Sequence, residues 1–244
     1  MKIALIGFGK MGKTIHDLGV KQGDSFPMII DLENREMLHS DEFRKMDVAI
    51  EFTAPGSAVD NIMACFKQGI PVVSGTTGWN DRLPEVEREC RNMKGGLFHA
   101  SNYSIGVNIL FAMNRRLARI MNNYPQYNIS IEEVHHVHKL DAPSGTAIAL
   151  ADQIIHEVDP LSTWDLKEPN QGEQKLESSV LQIHAIREGE VKGRHTIKYE
   201  SGVDSITLAH SAKSRDAFAA GVLMAAEFMV GKTGVFGMND LLRI

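Results

Sequence analysis

The chain has 244 residues, 43% of them hydrophobic and 23% charged, which suits one large or two modest folded domains and excludes a disordered or fibrous protein. Its formal charge of −5 argues against a nucleic-acid-coating surface or a polybasic membrane patch. Cys65 and Cys90 match no zinc or redox spacing, and the N-terminal apolar run is too short for a signal or spanning segment, so a cytoplasmic protein is expected.

Ile3-Ala4-Leu5-Ile6 is an unbroken apolar run, followed by Gly7-Phe8-Gly9-Lys10-Met11-Gly12 and a helix-compatible stretch over 11–20. That order predicts a parallel strand, a glycine turn and a helix whose first amides face a pyrophosphate. Gly7 allows the tight turn, Gly9 the close approach of backbone to phosphate, and Gly12 the packing of helix on strand. A second apolar run, Phe26-Pro27-Met28-Ile29-Ile30, ends at Asp31, about 20 residues beyond the loop, where a carboxylate receives the ribose hydroxyls of a dinucleotide. Asp31 would repel a 2′-phosphate, while Lys10 and Arg35 could offset that repulsion, so NADH is expected to be preferred and NADPH tolerated.

A strand over 47–53 turns at Ala54-Pro55-Gly56 into a helix over 57–68, and Pro71-Val72-Val73-Ser74 runs into Gly75-Thr76-Thr77-Gly78. Such turns at the carboxyl ends of parallel strands are where ligands gather in doubly wound sheets, although either turn alone could be simple loop chemistry. Gly96-Leu97-Phe98-His99-Ala100 is a further strand leading to Ser101-Asn102-Tyr103-Ser104, a polar segment suited to a nicotinamide carboxamide. A long helix over 105–121 then links to a second domain.

There Ile129-Ser130-Ile131-Glu132-Glu133-Val134 alternates as a strand and continues into His135-His136-Val137-His138-Lys139-Leu140-Asp141. Three histidines, a lysine and an aspartate so close together suggest a bound polar ligand. His135 and Lys139, four apart, are expected to share a face in either an extended or a helical segment, placing an acid–base group beside an ammonium. His-His-x-His lacks the helical spacing of zinc hydrolases, so no metal is expected. Ser144 is a plausible N-cap for a helical run beginning near Ala147, and the amides of Gly145 and Thr146 form a carboxylate site. Together these features suggest a small dianionic substrate. Residues 159–178 read as a polar loop, 180–187, 195–199 and 204–210 as strands of an open sheet beside the histidine strand, and 215–230 as a helix covering the first domain.

The run from Glu133 to Ala147 resembles the signature of the 4-hydroxy-tetrahydrodipicolinate reductase family, and the glycine loop, Phe52-Thr53, Gly75-Thr76-Thr77-Gly78 and Ser101-Asn102-Tyr103-Ser104 fall in that family's order. The resemblance implies an α/β protein. It would have a Rossmann-like nucleotide-binding domain (1–104 plus 215–244) and a mixed α+β substrate-binding and oligomerisation domain (105–214), assembled as a homotetramer. It implies His135 as proton donor or acceptor and Lys139 as proton donor, with His136, Gly145 and Thr146 touching substrate. It further implies nucleotide contacts at Gly7, Phe8, Gly9, Lys10, Met11, Gly12, Asp31, Gly75, Thr76, Thr77, Ala100, Ser101, Asn102 and Tyr103. The implied reaction passes hydride from NADH or NADPH to an imine-containing, six-membered dicarboxylate ring with loss of water, in lysine biosynthesis through diaminopimelate. No nucleic-acid or membrane partner is expected.

Two departures stand out. The segment between Asp31 and Asp47 is short for the family, and Leu32 stands where some members carry an arginine for the 2′-phosphate. Another reductase of a small acid, such as an aspartate or homoserine dehydrogenase, and a nucleotide sensor without turnover are the competing readings. Whether Lys139 donates a proton or mainly stabilises charge is left open by the sequence.

Overall fold

A computed structural model describes residues 1–167, 179–214 and 216–244. The chain divides into two units, Met1–Ile105 with Arg215–Ile244, and Gly106–Ser214.

In the first unit, β1 (Lys2–Ile6) buries four consecutive side chains, as a parallel strand covered on both faces must. It leads through Gly7 into α1 (Lys10–Lys21), and β2 (Ser25–Ile30) returns parallel to β1 with Ile30 opposite Ile6. Past Asp31 the short segment holds no α-helix. Two 3-10 turns, Arg35–His39 and Phe43–Lys45, carry the chain across and bury Leu38 and Phe43. Then β3 (Val48–Glu51) pairs with the other side of β1. The next helix, α2 (Pro55–Gln68), opens with proline in its first turn and closes at Gly69 with φ 72°, the proline-in, glycine-out asymmetry of helix ends. It is followed by β4 (Val72–Ser74), α3 (Leu83–Asn92) and β5 (Gly96–His99). Helix α3 was not expected from the sequence, although its buried Val86 and Cys90 carry the apolar spacing of a helix.

Helix α4 (Ile105–Met121) leads into the second unit, where β6 (Asn128–His135) is followed by α5 (Gly145–Glu157). The expectation of a loop over 159–178 is corrected at its start: β7 (Thr163–Lys167) is a strand, pairing parallel with β8 (Val180–Arg187), and residues 168–178 lie outside the described residues. Main-chain pairing along a neighbouring strand overrides the weak local pattern there. With β9 (Arg194–Glu200) and β10 (Ser205–Ser211) the sheet runs β10-β9-β6-β8-β7, so the histidine strand is central, parallel to β8 and antiparallel to β9. Fully buried Asn114 of α4 donates to the Leu150 carbonyl and Gln153 Oε1 of α5, both at 3.1 Å, and Arg119 grips Glu157 at 2.9 and 2.8 Å. These bonds hold α5 in place.

The chain then returns to the first unit as α6 (Asp216–Met229), β11 (Gly234–Phe236) and α7 (Met238–Leu242). The first sheet is thereby β11-β5-β4-β3-β1-β2, every neighbour parallel. Helix α6 buries Ala219, Val222 and Ala226 in one cluster with Ile3, Leu5 and Ile50. Its Gly221 lies against the chain at Tyr103, where an added Cβ would stand 1.8 Å from the carbonyl oxygen. Alanine would gain up to about 1 kcal/mol in helix propensity, yet the forced shift of two packed backbones costs about 1–3 kcal/mol. Gly221→Ala is therefore expected to destabilise the protein, read as a lower urea midpoint with an unchanged slope.

Candidate active site

Glu133 of β6 has no exposed surface. Its Oε1 accepts from the Ser144 amide at 3.2 Å and from Arg187 Nη2 at 3.0 Å. Two positions on along the same strand face, His135 puts Nδ1 2.6 Å from Glu133 Oε2, with the ring turned off the line of an aligned hydrogen bond. Burial pushes the Glu133 carboxyl up, but the close approach of His135 and the bonds from Ser144 and Arg187 together outweigh it and hold the group down at about 2. The carboxylate is thus a fixed negative charge beside the imidazole.

His195 of β9 meets the His135 ring edge-on at 5.1 Å and sets Nε2 3.1 Å from Ser144 Oγ. Burial, then repulsion from His135, pushes it down to about 4 against the pull of Glu133, so His195 is neutral at neutral pH. On the other side of His135, Gly193 has φ 145°, and a Cβ there would come within 3.1 Å of Nε2. A side chain at this position would crowd the nitrogen that Glu133 leaves free.

Strand β6 ends at His135, and the Lys139 amide closes a turn on the His136 carbonyl at 3.1 Å. The expectation that His135 and Lys139 share a face of one strand or helix is therefore corrected, because the chain leaves the sheet between them. Lys139 Nζ lies 2.7 Å from each carboxyl oxygen of Asp141, and that bond draws the Asp141 carboxyl below its ordinary range. His136 is half-buried, and exposed His138 lies 3.5 Å from Glu190. Ser144 caps α5, its Oγ accepting from the Ala147 amide at 3.2 Å. Gly145 and Thr146 open that helix, and nothing lies within 4 Å of where a Gly145 side chain would begin. Helix-end amides over open space can receive an anion.

Glu133, His135 and His195 could in composition hold a metal, their ligand atoms lying within 4.8 Å of one another. The 2.6 Å approach of Oε2 to Nδ1 is closer than two ligands stand on a tetrahedral zinc with bonds of about 2.0–2.2 Å. Arg187 already neutralises the carboxylate. The geometry is that of an ion pair.

In the first unit, a cavity of about 520 Å³ opens over the carboxyl ends of β1 and β2 and is lined by Gly7, Phe8, Gly9 and Asp31 together with Lys13, Arg35 and Asn61. A Cβ at Gly7, where φ is 96°, would strike the Phe52 carbonyl at 2.0 Å, and one at Gly12 the Gly7 carbonyl at 2.2 Å, so both positions demand glycine. Gly9 has nothing within 4 Å of its missing side chain, leaving a cradle at the start of α1. The first helical bond runs from the Lys13 amide to the Gly9 carbonyl at 3.0 Å, so the amides of Lys10, Met11 and Gly12 have no acceptor within the helix. Asp31 sits exposed at the end of β2, pinned by the Glu33 amide on Oδ1 at 2.9 Å and by its own amide on Asn34 Oδ1 at 2.8 Å. These features fit a dinucleotide. Lys13, one turn into α1, rather than Lys10, lines the cavity.

The remaining expected nucleotide contacts lie outside this cavity's lining. Gly75 packs against the Phe52 ring, which a Cβ would meet at 2.0 Å, and Thr77 follows in the same turn. Thr76 donates to Glu51 Oε1 at 2.8 Å. Ala100, Ser101 and Asn102 follow β5, where Asn102 Oδ1 accepts from the Ser104 amide at 2.9 Å. Tyr103 is a core residue whose hydroxyl donates to the Ser74 carbonyl at 2.6 Å. Burial pushes that phenol well above its ordinary range, so its side chain is not a contact available at the surface.

Glu133, Arg187 and His195 were not among the site residues expected from the sequence. The spacing of Glu133 to His135 within a strand was the available signal for the first, whereas the other two arrive through strand pairing with no local mark.

The family described as dihydrodipicolinate reductase, N-terminus, matches residues 1–103, and dihydrodipicolinate reductase, C-terminus, matches residues 106–242. A Christiangramia forsetii protein named 4-hydroxy-tetrahydrodipicolinate reductase is 44% identical over 244 residues, covering 99% of this chain and 98% of the relative. One of the same name from Methanopyrus kandleri is 38% identical over 198 residues, covering 80% of this chain and 71% of the relative. In fold, the chain is similar to a dipicolinate-bound dihydrodipicolinate reductase from Paenisporosarcina sp. TG-14, with a TM-score of 0.72, 23% identity and 97% of each chain covered.

The buried histidine makes the stability pH-dependent. Because His195 falls from 6.5 to about 4 on folding, the unfolded chain binds more protons in that window, and stability drops by about 3 kcal/mol as pH falls through it. Urea unfolding at stepped pH is expected to show this loss in the parent and a smaller one in His195→Gln, where His99, His184 and His210, also pushed down by burial, still contribute. The Glu133 contribution, lost between 4.5 and about 2, should remain in both.

Proposed function

The chain belongs to the dihydrodipicolinate reductase family, and from that premise we propose that His135 and Lys139 handle the proton chemistry of its reaction, with NADH favoured over NADPH, in a cytoplasmic homotetramer. The reaction is the NAD(P)H-dependent reduction of 4-hydroxy-tetrahydrodipicolinate to tetrahydrodipicolinate with loss of water, on the diaminopimelate route to lysine. One hydride and one proton enter the ring system, and the 4-hydroxyl leaves as water.

One observation carries the assignment. Glu133 joins His135 at 2.6 Å and the Ser144 amide at 3.2 Å, so a proton-handling group and the start of an anion-binding helix are fastened to one buried charge. The fixed carboxylate faces Nδ1 of His135 at 2.6 Å, which leaves Nε2 to face the ring. The Gly145 and Thr146 amides receive a substrate carboxylate, and His136 is a further substrate contact. Lys139 brings an ammonium to the second negative centre once it leaves Asp141.

The reduced nicotinamide supplies the hydride when bound. The amides of Lys10, Met11 and Gly12 would hold its pyrophosphate, and Asp31 the ribose hydroxyls, with further contacts from Gly75, Thr76, Thr77 and the backbone of 100–103. The preference for NADH rests on charge. Asp31 repels a 2′-phosphate, exposed Leu32 offers it nothing, and Arg35 is drawn 3.6 Å from Asp60. For the tetramer, support comes from β10 at the edge of its sheet, where Ile206 is exposed, with Val203 exposed just before it.

The test is the oxidation of NADH and NADPH, in parallel, by the purified protein with freshly generated 4-hydroxy-tetrahydrodipicolinate. The parent is expected to turn over with a higher kcat/KM for NADH. His135→Ala and Lys139→Ala should each lose about 100-fold or more in kcat while keeping their melting temperature and NADH affinity. Tight NADH binding without turnover by the parent would refute the substrate assignment.

A further inference from the structure

Arg187 is drawn into the site by register alone. It stands opposite His135 where β8 runs parallel to β6, and its side chain is 20% exposed. Its Nη2 donates to Glu133 Oε1 at 3.0 Å and to the Asp141 carbonyl at 2.6 Å, while Nε points to the Lys139 carbonyl at 3.4 Å. One guanidinium therefore grips the carboxylate behind His135 and the backbone of the turn that carries Lys139. Only arginine has several donors in a rigid plane able to do this, since a lysine ammonium is one point charge on a flexible stem.

We propose that Arg187 is a positioning residue that sets His135 and Lys139 relative to each other, acting through Glu133 on the one side and through the carbonyls of Lys139 and Asp141 on the other. With Oε1 taken by Arg187 and by the Ser144 amide, the Glu133 carboxylate is turned so that Oε2 faces His135 Nδ1. The same side chain spans to the turn at 139–141, which has no strand or helix to shape it. Without Arg187, Glu133 becomes a buried charge short of its cationic partner, and the lysine turn loses its tie to the sheet. Nothing here requires Arg187 to touch the substrate.

This inference rests on the roles given above to His135 and Lys139, so the experiment separates the two. Arg187→Ala and Arg187→Lys are compared with the parent in the reductase assay and again in a His135→Ala, Lys139→Ala background. We expect kcat to fall about 100-fold in Arg187→Ala, with NADH affinity within about twofold of the parent and an increased solvent deuterium isotope effect on kcat. In the doubly substituted background the same change should cost less than about threefold, because its effect passes through the residues already removed. A purely structural role would give the same loss in both backgrounds and overturn the inference. So would a kcat within about threefold of the parent in both variants. If Arg187→Ala fails to fold, by circular dichroism, Arg187→Lys carries the comparison.

A second readout needs no turnover. Ring nitrogen resonances of isotope-labelled histidine should show His135 with Nδ1 protonated in the parent and averaging between tautomers in the Arg187 variants. Unchanged resonances overturn the inference even if the substrate assignment were to fail. A parent without activity overturns only that assignment.

Discussion

A carboxylate taken wholly out of water is the constraint on which the second unit depends. An ionised group at Glu133 costs several kcal/mol to bury unless charged and hydrogen-bonding partners surround it. Each partner comes from a different place: the Ser144 amide from the start of α5, Arg187 from the end of β8, and His135 from the same strand. Meeting the need of one side chain therefore fixes the approach of a helix, the register of a strand and the orientation of an imidazole. His195, held neutral by burial, bonds to the same Ser144 through its hydroxyl and closes the set without adding a charge.

The first unit buries a carboxylate as well, and satisfies it differently. Glu51, with no exposed surface, accepts from the Thr53 amide at 3.0 Å, from Ser74 Oγ at 2.7 Å, from Thr76 Oγ1 at 2.8 Å and from the Thr53 hydroxyl. These neutral donors stand at the carboxyl ends of β3 and β4, so the network ties those strand ends together beside the cavity that Phe52 and Thr53 also line. Its negative charge adds to the effect of burial on Tyr103 and Cys65, whose acid groups are both pushed up and kept neutral. One buried carboxylate is met by a guanidinium and a histidine, the other by hydroxyls and a backbone amide that carry no charge.

What was legible in the sequence follows from how far apart the interacting residues lie. The β1–α1–β2 unit was readable because the apolar run, the three glycines and Asp31 are bound by local geometry, and so was the Ser144 cap, which bonds three residues away. The role of Glu133 was half-legible, two positions from His135 in an alternating strand, yet nothing nearby says that this glutamate is buried. Arg187 and His195 were illegible because they reach the site through the pairing of β6 with β8 and β9, and register between distant strands leaves no local spacing. The same limit explains the strand at Thr163–Lys167, which exists because β8 offers it an edge, and the misplaced idea that His135 and Lys139 lie on one element.

The two ion pairs of the site differ in how readily they can part. Glu133 and Arg187 are bound in the interior, where removing one partner of such a pair costs about 3–5 kcal/mol. Lys139 and Asp141 meet at the surface, with the Asp141 side chain 63% exposed, and pairs of that kind are worth about 0–1 kcal/mol. An anion reaching Lys139 can thus take the ammonium from Asp141 at small cost, since water solvates the aspartate left behind. It cannot pull Arg187 from Glu133 at a comparable cost. The arrangement keeps the imidazole and its carboxylate fixed while leaving the lysine exchangeable.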